Sequence, residues 1–173
     1  MIDHLDDLMD AGVDCIKIEG RAKSSYYAAI VTGAYRHCID DAFAGRPLDP
    51  VWRDEVEHVS HRIYSTGFYY GEPGQYTANS RYIRQWQIVA KVESCDENGL
   101  ALCSLNNKFS AGDVLEVVGP DLRPFEITAE NMTDINDTPL QEPRTPQMQF
   151  HIQLPCQVPP LSMLRRAVDL SAK

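Results

Sequence analysis

The spacing of apolar positions changes partway along the chain, and that change divides it. Leu5, Leu8 and Met9 stand at helical spacing, and Gly12 follows where a glycine commonly closes a helix. Val13-Asp14-Cys15-Ile16-Lys17-Ile18 is short and rich in β-branched residues, which predicts a strand. Tyr27, Ile30, Val31, Ala34, Tyr35, Cys38, Ile39 and Ala42 then recur at i, i+3 and i+4 as one apolar stripe. The stripe predicts a long helix opening near Lys23, capped by Ser24 or Ser25 and closed by Gly45 and Pro47. Asp49 caps a second helix from Pro50 to about Val59, with Val51, Trp52, Val56 and Val59 as a partial apolar face.

Helix, strand, helix is one step of an alternating α/β fold. The strand at 13–18 needs neighbours, because buried backbone N–H and C=O groups without partners are costly. No sister strand of the same kind stands nearby in the sequence. The simplest solution places the rest of that sheet upstream, in a longer protein. An open strand edge also invites pairing with a second copy.

Between Ser60 and Tyr82 the chain carries Gly67, Gly71, Pro73 and Gly74 among aromatics, which reads as a linker or packed loop. The domain boundary is placed there, giving residues 1–82 and 83–173. Beyond it the period becomes two. Trp86, Ile88, Ala90 and Val92 alternate with polar residues, and Asn98-Gly99 signals a hairpin before Leu100, Leu102 and Leu105. Val114–Val118, Phe125–Thr128 and Met148–Leu154 read as further strands. Asn131 to Gln147 reads as a surface loop. Leu161 to Leu170 is expected to form a terminal helix packed through Met163, Leu164, Ala167 and Val168. The predicted class is α+β: a helical segment with a remnant strand of an α/β barrel, then a small antiparallel β-barrel or sandwich.

Composition narrows the function. At 173 residues with 43% apolar content a core can form, and a net charge of -9 excludes a basic face over the whole surface. A local basic patch stays open, since net charge does not report distribution. The start is acidic and no apolar run reaches the roughly 18–20 residues needed to cross a bilayer, so a cytoplasmic protein without membrane contact is expected. Five cysteines without a CxxC spacing predict reduced, mostly buried thiols and no metal site in this chain.

Glu19 and Arg21 follow the end of the predicted strand, the end that faces the active site in α/β barrels. There Glu19 can act as a general base or bind a cation, and Arg21 can clamp a phosphate or carboxylate. The plainer reading is an ion pair tying strand to helix. His58 and His61 are three apart beside Glu55 and Glu57, a spacing that can hold zinc but lacks the full HExxH pattern. A structural or capping role fits them better. Tyr64, Phe68, Tyr69, Tyr70 and Tyr76 with Arg62, Arg81 and Arg84 can stack bases of single-stranded RNA, or simply pack a linker. Arg165 and Arg166 can touch phosphate or stand as solvated charge. No glycine-rich phosphate loop or nucleophile elbow is present in the sequence.

Asp10-Ala11-Gly12-Val13-Asp14-Cys15-Ile16-Lys17-Ile18-Glu19-Gly20-Arg21, followed by Lys23-Ser24 and Tyr26-Tyr27, resembles the hallmark of the collagenase-like peptidases, peptidase family U32. Val59-Ser60-His61-Arg62, Thr66-Gly67-Phe68, Asn107-Lys108-Phe109, Gly112-Asp113 and Met163-Leu164-Arg165-Arg166 are similar to the same family. The resemblance implies an α/β barrel followed by a small β-barrel like those of translation factors. It implies proteolysis, for which the family was named, or RNA hydroxylation, including at the tRNA wobble uridine. It places Glu19 and Arg21 as catalytic candidates in the intact protein, and Lys23, His61, Arg62, Arg165 and Arg166 as substrate-binding candidates. Some members carry an iron–sulfur cluster on a cysteine signature of the upstream barrel. Cys15, Cys38, Cys95, Cys103 and Cys156 do not match it, so no cofactor is expected in this chain. Three functions follow as expectations. The chain positions substrate, such as tRNA, for an upstream catalytic domain; or it recognises polypeptide in a true peptidase; or it is structural or self-associating.

Overall fold

A computed structural model describes residues 1–168. The chain forms two compact units that divide between Gln85 and Trp86.

In the first unit, a short 3-10 turn at Ile2–His4 leads into α1 (Leu5–Asp10). Gly12, at φ 77°, accepts the backbone turn that ends it. The long helix α2 spans Ser25–Phe43, and the Ser24 side chain accepts a hydrogen bond from the Tyr27 N–H at 3.3 Å. Asp49 does the same for Val51 at 3.0 Å, with Pro50 in the first turn of α3 (Pro50–Glu55). A 3-10 turn at Val56–His58 continues α3. Ile2, Leu5, Ala34, Cys38 and Val56 form a small core, with Trp52 and Tyr35 packed on it. His37 and Trp52 stack at 3.7 Å.

The strand predicted at 13–18 is not formed. Val13 N–H donates to Leu8 O at 3.0 Å and closes α1, but no strand pairs with the segment among the described residues. Val13 and Ile16 are 41% and 37% exposed. β-branched composition favours an extended chain, whereas a strand requires a partner ladder. The first unit supplies none.

The second unit is a seven-stranded antiparallel sheet in the order β4-β3-β7-β1-β2-β6-β5. The strands are β1 (Trp86–Cys95), β2 (Leu100–Leu105), β3 (Val114–Gly119), β4 (Leu122–Thr128), β5 (Thr133–Asp134), β6 (Gln149–Gln153) and β7 (Met163–Ala167). Helices followed by an antiparallel sheet is the arrangement the apolar periods predict. Asp96 shapes the β1–β2 hairpin, its Oδ1 accepting from the N–H groups of Asn98 at 2.9 Å and Leu100 at 2.8 Å. Gly99 closes it at φ 85°. Val89, Val92, Leu115, Ile152 and Leu164 fill the core around Phe109 and Phe150, whose rings tilt at 59° with centroids 5.7 Å apart.

Two expectations are corrected here. Met163–Ala167 is a strand, and Leu161, Ser162 and Val168 beside it are not helical either; positions 169 and 170 of the predicted helix lie outside the described residues. β7 pairs with β1 on one side and β3 on the other, so this segment joins edges that local sequence cannot foresee. The loop at 131–147 contains the two-residue strand β5. Among the cysteines, Cys38 and Cys103 are buried, Cys95 is half-buried, and Cys15 and Cys156 are exposed. Among the described residues no helix is long and apolar enough to cross a membrane.

Candidate functional site

The first unit gathers cations around one tyrosine. Lys23 Nζ lies 4.2 Å from the centre of the Tyr82 ring, the Arg62 guanidinium 5.0 Å and that of Arg84 5.7 Å. Lys23 is also 5.1 Å from the Tyr27 ring. Three local features bring them together. Lys23 stands just ahead of α2 and its Nζ donates to Ser60 O at 3.0 Å. Arg84 Nε donates to Ser60 Oγ at 3.1 Å. His61 and Ile83 exchange both backbone hydrogen bonds, at 3.2 and 2.7 Å, and thereby fold the intervening segment back on itself.

His61 anchors this fold and does not face solvent. It is buried and stacks on Tyr64 at 4.5 Å. Its Nδ1 is 2.7 Å from Arg62 O; a carbonyl oxygen only accepts, so Nδ1 carries the hydrogen. Nε2 stands 3.2 Å from Glu57 Oε2, close enough for an ion pair but without hydrogen-bond alignment. His58 Nδ1 lies 3.1 Å from buried Glu55. Tyr64 donates to Val56 O at 2.6 Å, and burial pushes its phenol well above the ordinary range.

Several other cations of the chain are neutralised, whereas Lys17, Arg21 and Lys108 form no ion pair among the described residues. Arg36 pairs with Asp40, Arg46 with Asp41, Arg53 with Asp3 and Asp54, Lys91 with Glu93, Arg144 with Glu142, and Arg166 with Asp113. Among the described residues, Lys23, Arg62, Arg81 and Arg84 meet no carboxylate. Beside Tyr82, a groove of about 340 Å³ is lined by Arg62, Ile63, Tyr76, Asn79, Ser80 and Arg81.

Glu19 occupies a different place. It borders an open cleft of about 640 Å³ that Val13, Ile16, Ile18, Tyr27 and Tyr64 also line. Its Oε1 accepts from the Arg21 N–H at 2.7 Å, a side-chain-to-backbone turn and not a strand-to-helix ion pair. Both side chains are exposed.

Arg165 and Arg166 belong to the second unit. Arg165 is 0% exposed, its Nε donates to Glu116 Oε2 at 2.6 Å, and its guanidinium lies 4.7 Å over the Trp86 ring. Arg166 Nη1 donates to Asp113 Oδ2 at 2.9 Å, and both line a shallow cleft of about 530 Å³ with Trp86, Glu116 and Glu126. The structure thus brings Lys23, His61 and Arg62 together within the first unit, and within the second it gives the two consecutive arginines acidic partners. Sequence reasoning missed Tyr82 as the hub. The available signal was its position between Arg81 and Arg84.

Comparison with known proteins agrees with this division. Residues 1–79 match peptidase family U32, and residues 84–165 match the peptidase family U32 C-terminal domain. The chain is 37% identical over 127 residues to tRNA hydroxylation protein P of Escherichia coli, covering 69% of this chain and 27% of that protein. It is 29% identical over 174 residues to tRNA hydroxylation protein P1 of Bacillus subtilis, covering 96% and 41%. A collagenase of Porphyromonas gingivalis is 29% identical over 69% of this chain and 35% of its own. The crystal structure of a C-terminal domain from a U32 protein of Geobacillus thermoleovorans, 26% identical, covers 46% of this chain and 99% of its own at a TM-score of 0.45. The chain therefore spans well under half the length of these curated relatives, and it belongs to peptidase family U32.

Proposed function

We propose that this chain is the C-terminal part of a U32 protein that hydroxylates tRNA, and that it positions the RNA for a catalytic domain lying upstream. On this reading residues 1–82 complete an α/β barrel and residues 83–173 form a small accessory β-barrel. One observation carries the proposal. The β-branched segment 13–18 is largely exposed and has no partner strand among the described residues, and it lies along a cleft of about 640 Å³ that Glu19 also lines. A segment of strand composition in that state is the edge of a sheet whose other strands come from elsewhere. In the intact protein those strands cover Val13 and Ile16, and Glu19 and Arg21 lie at the mouth of the completed barrel. There Glu19 takes a proton or holds a cation, and Arg21 holds an anionic group of the substrate. With the upstream part absent, the same edge is open to a second copy of this chain.

The chain's own cysteines do not fit an iron–sulfur cluster. Cys38 is buried in the first unit with its thiol pushed up to about 11 by burial, which leaves Cys15 as the one exposed thiol there. A cluster, where the whole protein uses one, is held by the upstream part.

Relatives named for tRNA hydroxylation and for collagenase activity make two substrates comparable in one assay. This chain and a version extended upstream are each incubated with unmodified tRNA and with gelatin peptides. Hydroxylated nucleoside is read by mass spectrometry and cleavage by chromatography. The expected product is hydroxylated tRNA from the extended version alone, reduced about 100-fold or more in Glu19→Gln. Peptide cleavage by the short chain overturns the proposal.

A further inference from the structure

The chain has 25 acidic side chains against 16 lysines and arginines, so a cation on its surface has acidic partners to draw on. Lys23, Arg62 and Arg84 nonetheless crowd one ring with no carboxylate among them. Like charges held this close repel, and the face of Tyr82 with the oxygens of Ser60 offsets only part of that repulsion. The N-terminus of α2, a 19-residue helix, opens beside Lys23 and adds to the same sign. From His58 to Gln85 the segment holds Arg62, Arg81 and Arg84 against a single acidic residue, Glu72. Such an arrangement is complementary to an anion. The adjoining groove narrows the class of anion. Tyr76 offers a flat apolar face, Asn79 and Ser80 offer hydrogen-bonding groups, and Arg81 offers a planar cation, in a space of about 340 Å³. A base that is free of its stack fits those groups, and a base within a duplex does not reach them.

We propose that Lys23, Arg62 and Arg84 form a subsite for one backbone phosphate of single-stranded RNA, and that the Tyr76–Arg81 groove takes the neighbouring unpaired base. The subsite rests on the RNA reading given above. It assigns Tyr82 the role of holding the three cations in place until a phosphate replaces the ring as their counter-charge.

The test uses the full chain and a fluorescent RNA hairpin with an unpaired loop, with binding followed by anisotropy over a series of salt concentrations. Arg62→Gln with Arg84→Gln should weaken binding about tenfold or more and flatten the logarithmic salt dependence by about 0.7, the contribution of one single-strand phosphate. Tyr82→Leu should weaken it several-fold. Arg46→Gln with Arg144→Gln changes net charge equally at two exposed, already paired arginines and should leave both quantities unchanged. RNA binding that the Arg62/Arg84 pair does not alter, or that the control pair alters as much, overturns the subsite and leaves the RNA reading standing. If the unaltered chain binds no RNA, the RNA reading falls, and uridine monophosphate is then titrated against the arginine side-chain resonances. Shifts at Arg62 and Arg84 uphold the anion subsite; their absence overturns it as well.

Discussion

The two units are of similar length and reach opposite states of completion. The second encloses Phe109, Phe150, Leu154 and Leu164 in a continuous core, and its strands pair in a single sheet. The first has a core of five buried residues and leaves Ile63, Phe68, Tyr69, Tyr76 and Tyr82 exposed. Among the described residues, ten of the fourteen exposed large apolar side chains, from Val13 to Tyr82, belong to it. The second unit is stabilised by its own contacts, whereas the first leaves more of its large apolar side chains uncovered.

Side-chain truncation should have very different costs in the two units. Phe150→Ala removes a fully buried ring and is expected to cost about 3–5 kcal/mol in urea unfolding. Phe68→Ala, at a side chain 79% exposed, is expected to change stability by less than about 0.5 kcal/mol. Comparable losses from both would erase the distinction between the units.

Two glycines sharpen it further. Gly99 and Gly12 both sit at positive φ, 85° and 77°. A Cβ at Gly99 would meet Leu154 O at 2.4 Å, while at Gly12 nothing lies within 4 Å. Gly99→Ala should therefore cost about 2–4 kcal/mol, from strain plus a backbone clash, and Gly12→Ala about 1 kcal/mol from strain alone. Thermal unfolding of the two variants measures the gap.

Thiol reactivity gives the smallest and most local readout. Burial pushes the Cys103 thiol up to about 12 and the Cys38 thiol up to about 11, and the thiolate is the reactive form. At mildly alkaline pH, Cys15 and Cys156 should react first with a disulfide reagent, and Cys95 more slowly. Cys38 should precede Cys103, because the thinner core of the first unit opens more readily. The reverse order, read by peptide mass spectrometry, would contradict the ranking of the two cores.

What sequence could and could not reveal follows from the range of the forces involved. α2 was legible because its stripe and its Ser24 cap are local, and so were α3 from Asp49-Pro50 and the hairpin from Asn98-Gly99. β7 was not. Met163, Leu164 and Ala167 suit a helix by spacing, and only the space between β1 and β3 makes them a strand. Segment 13–18 shows the converse, strand composition without a ladder to join. In the candidate site, Arg62, Arg81 and Arg84 stood out beside aromatics, but the arrival of Lys23 at Tyr82 depends on the His61–Ile83 bridge. Arg165 resembled its neighbour Arg166 in sequence, and only the sheet distinguishes an enclosed ion pair with Glu116 from a half-exposed one with Asp113.

On the proposed reading, strands from upstream complete the first unit. Hydrogen exchange at the amides of Asp14 to Ile18 tests it most directly, in this chain at high dilution and in a version extended upstream. Exchange near the unprotected rate is expected in this chain, slowed about 100-fold or more in the extended version as a ladder forms. Equal rates in the two would contradict it.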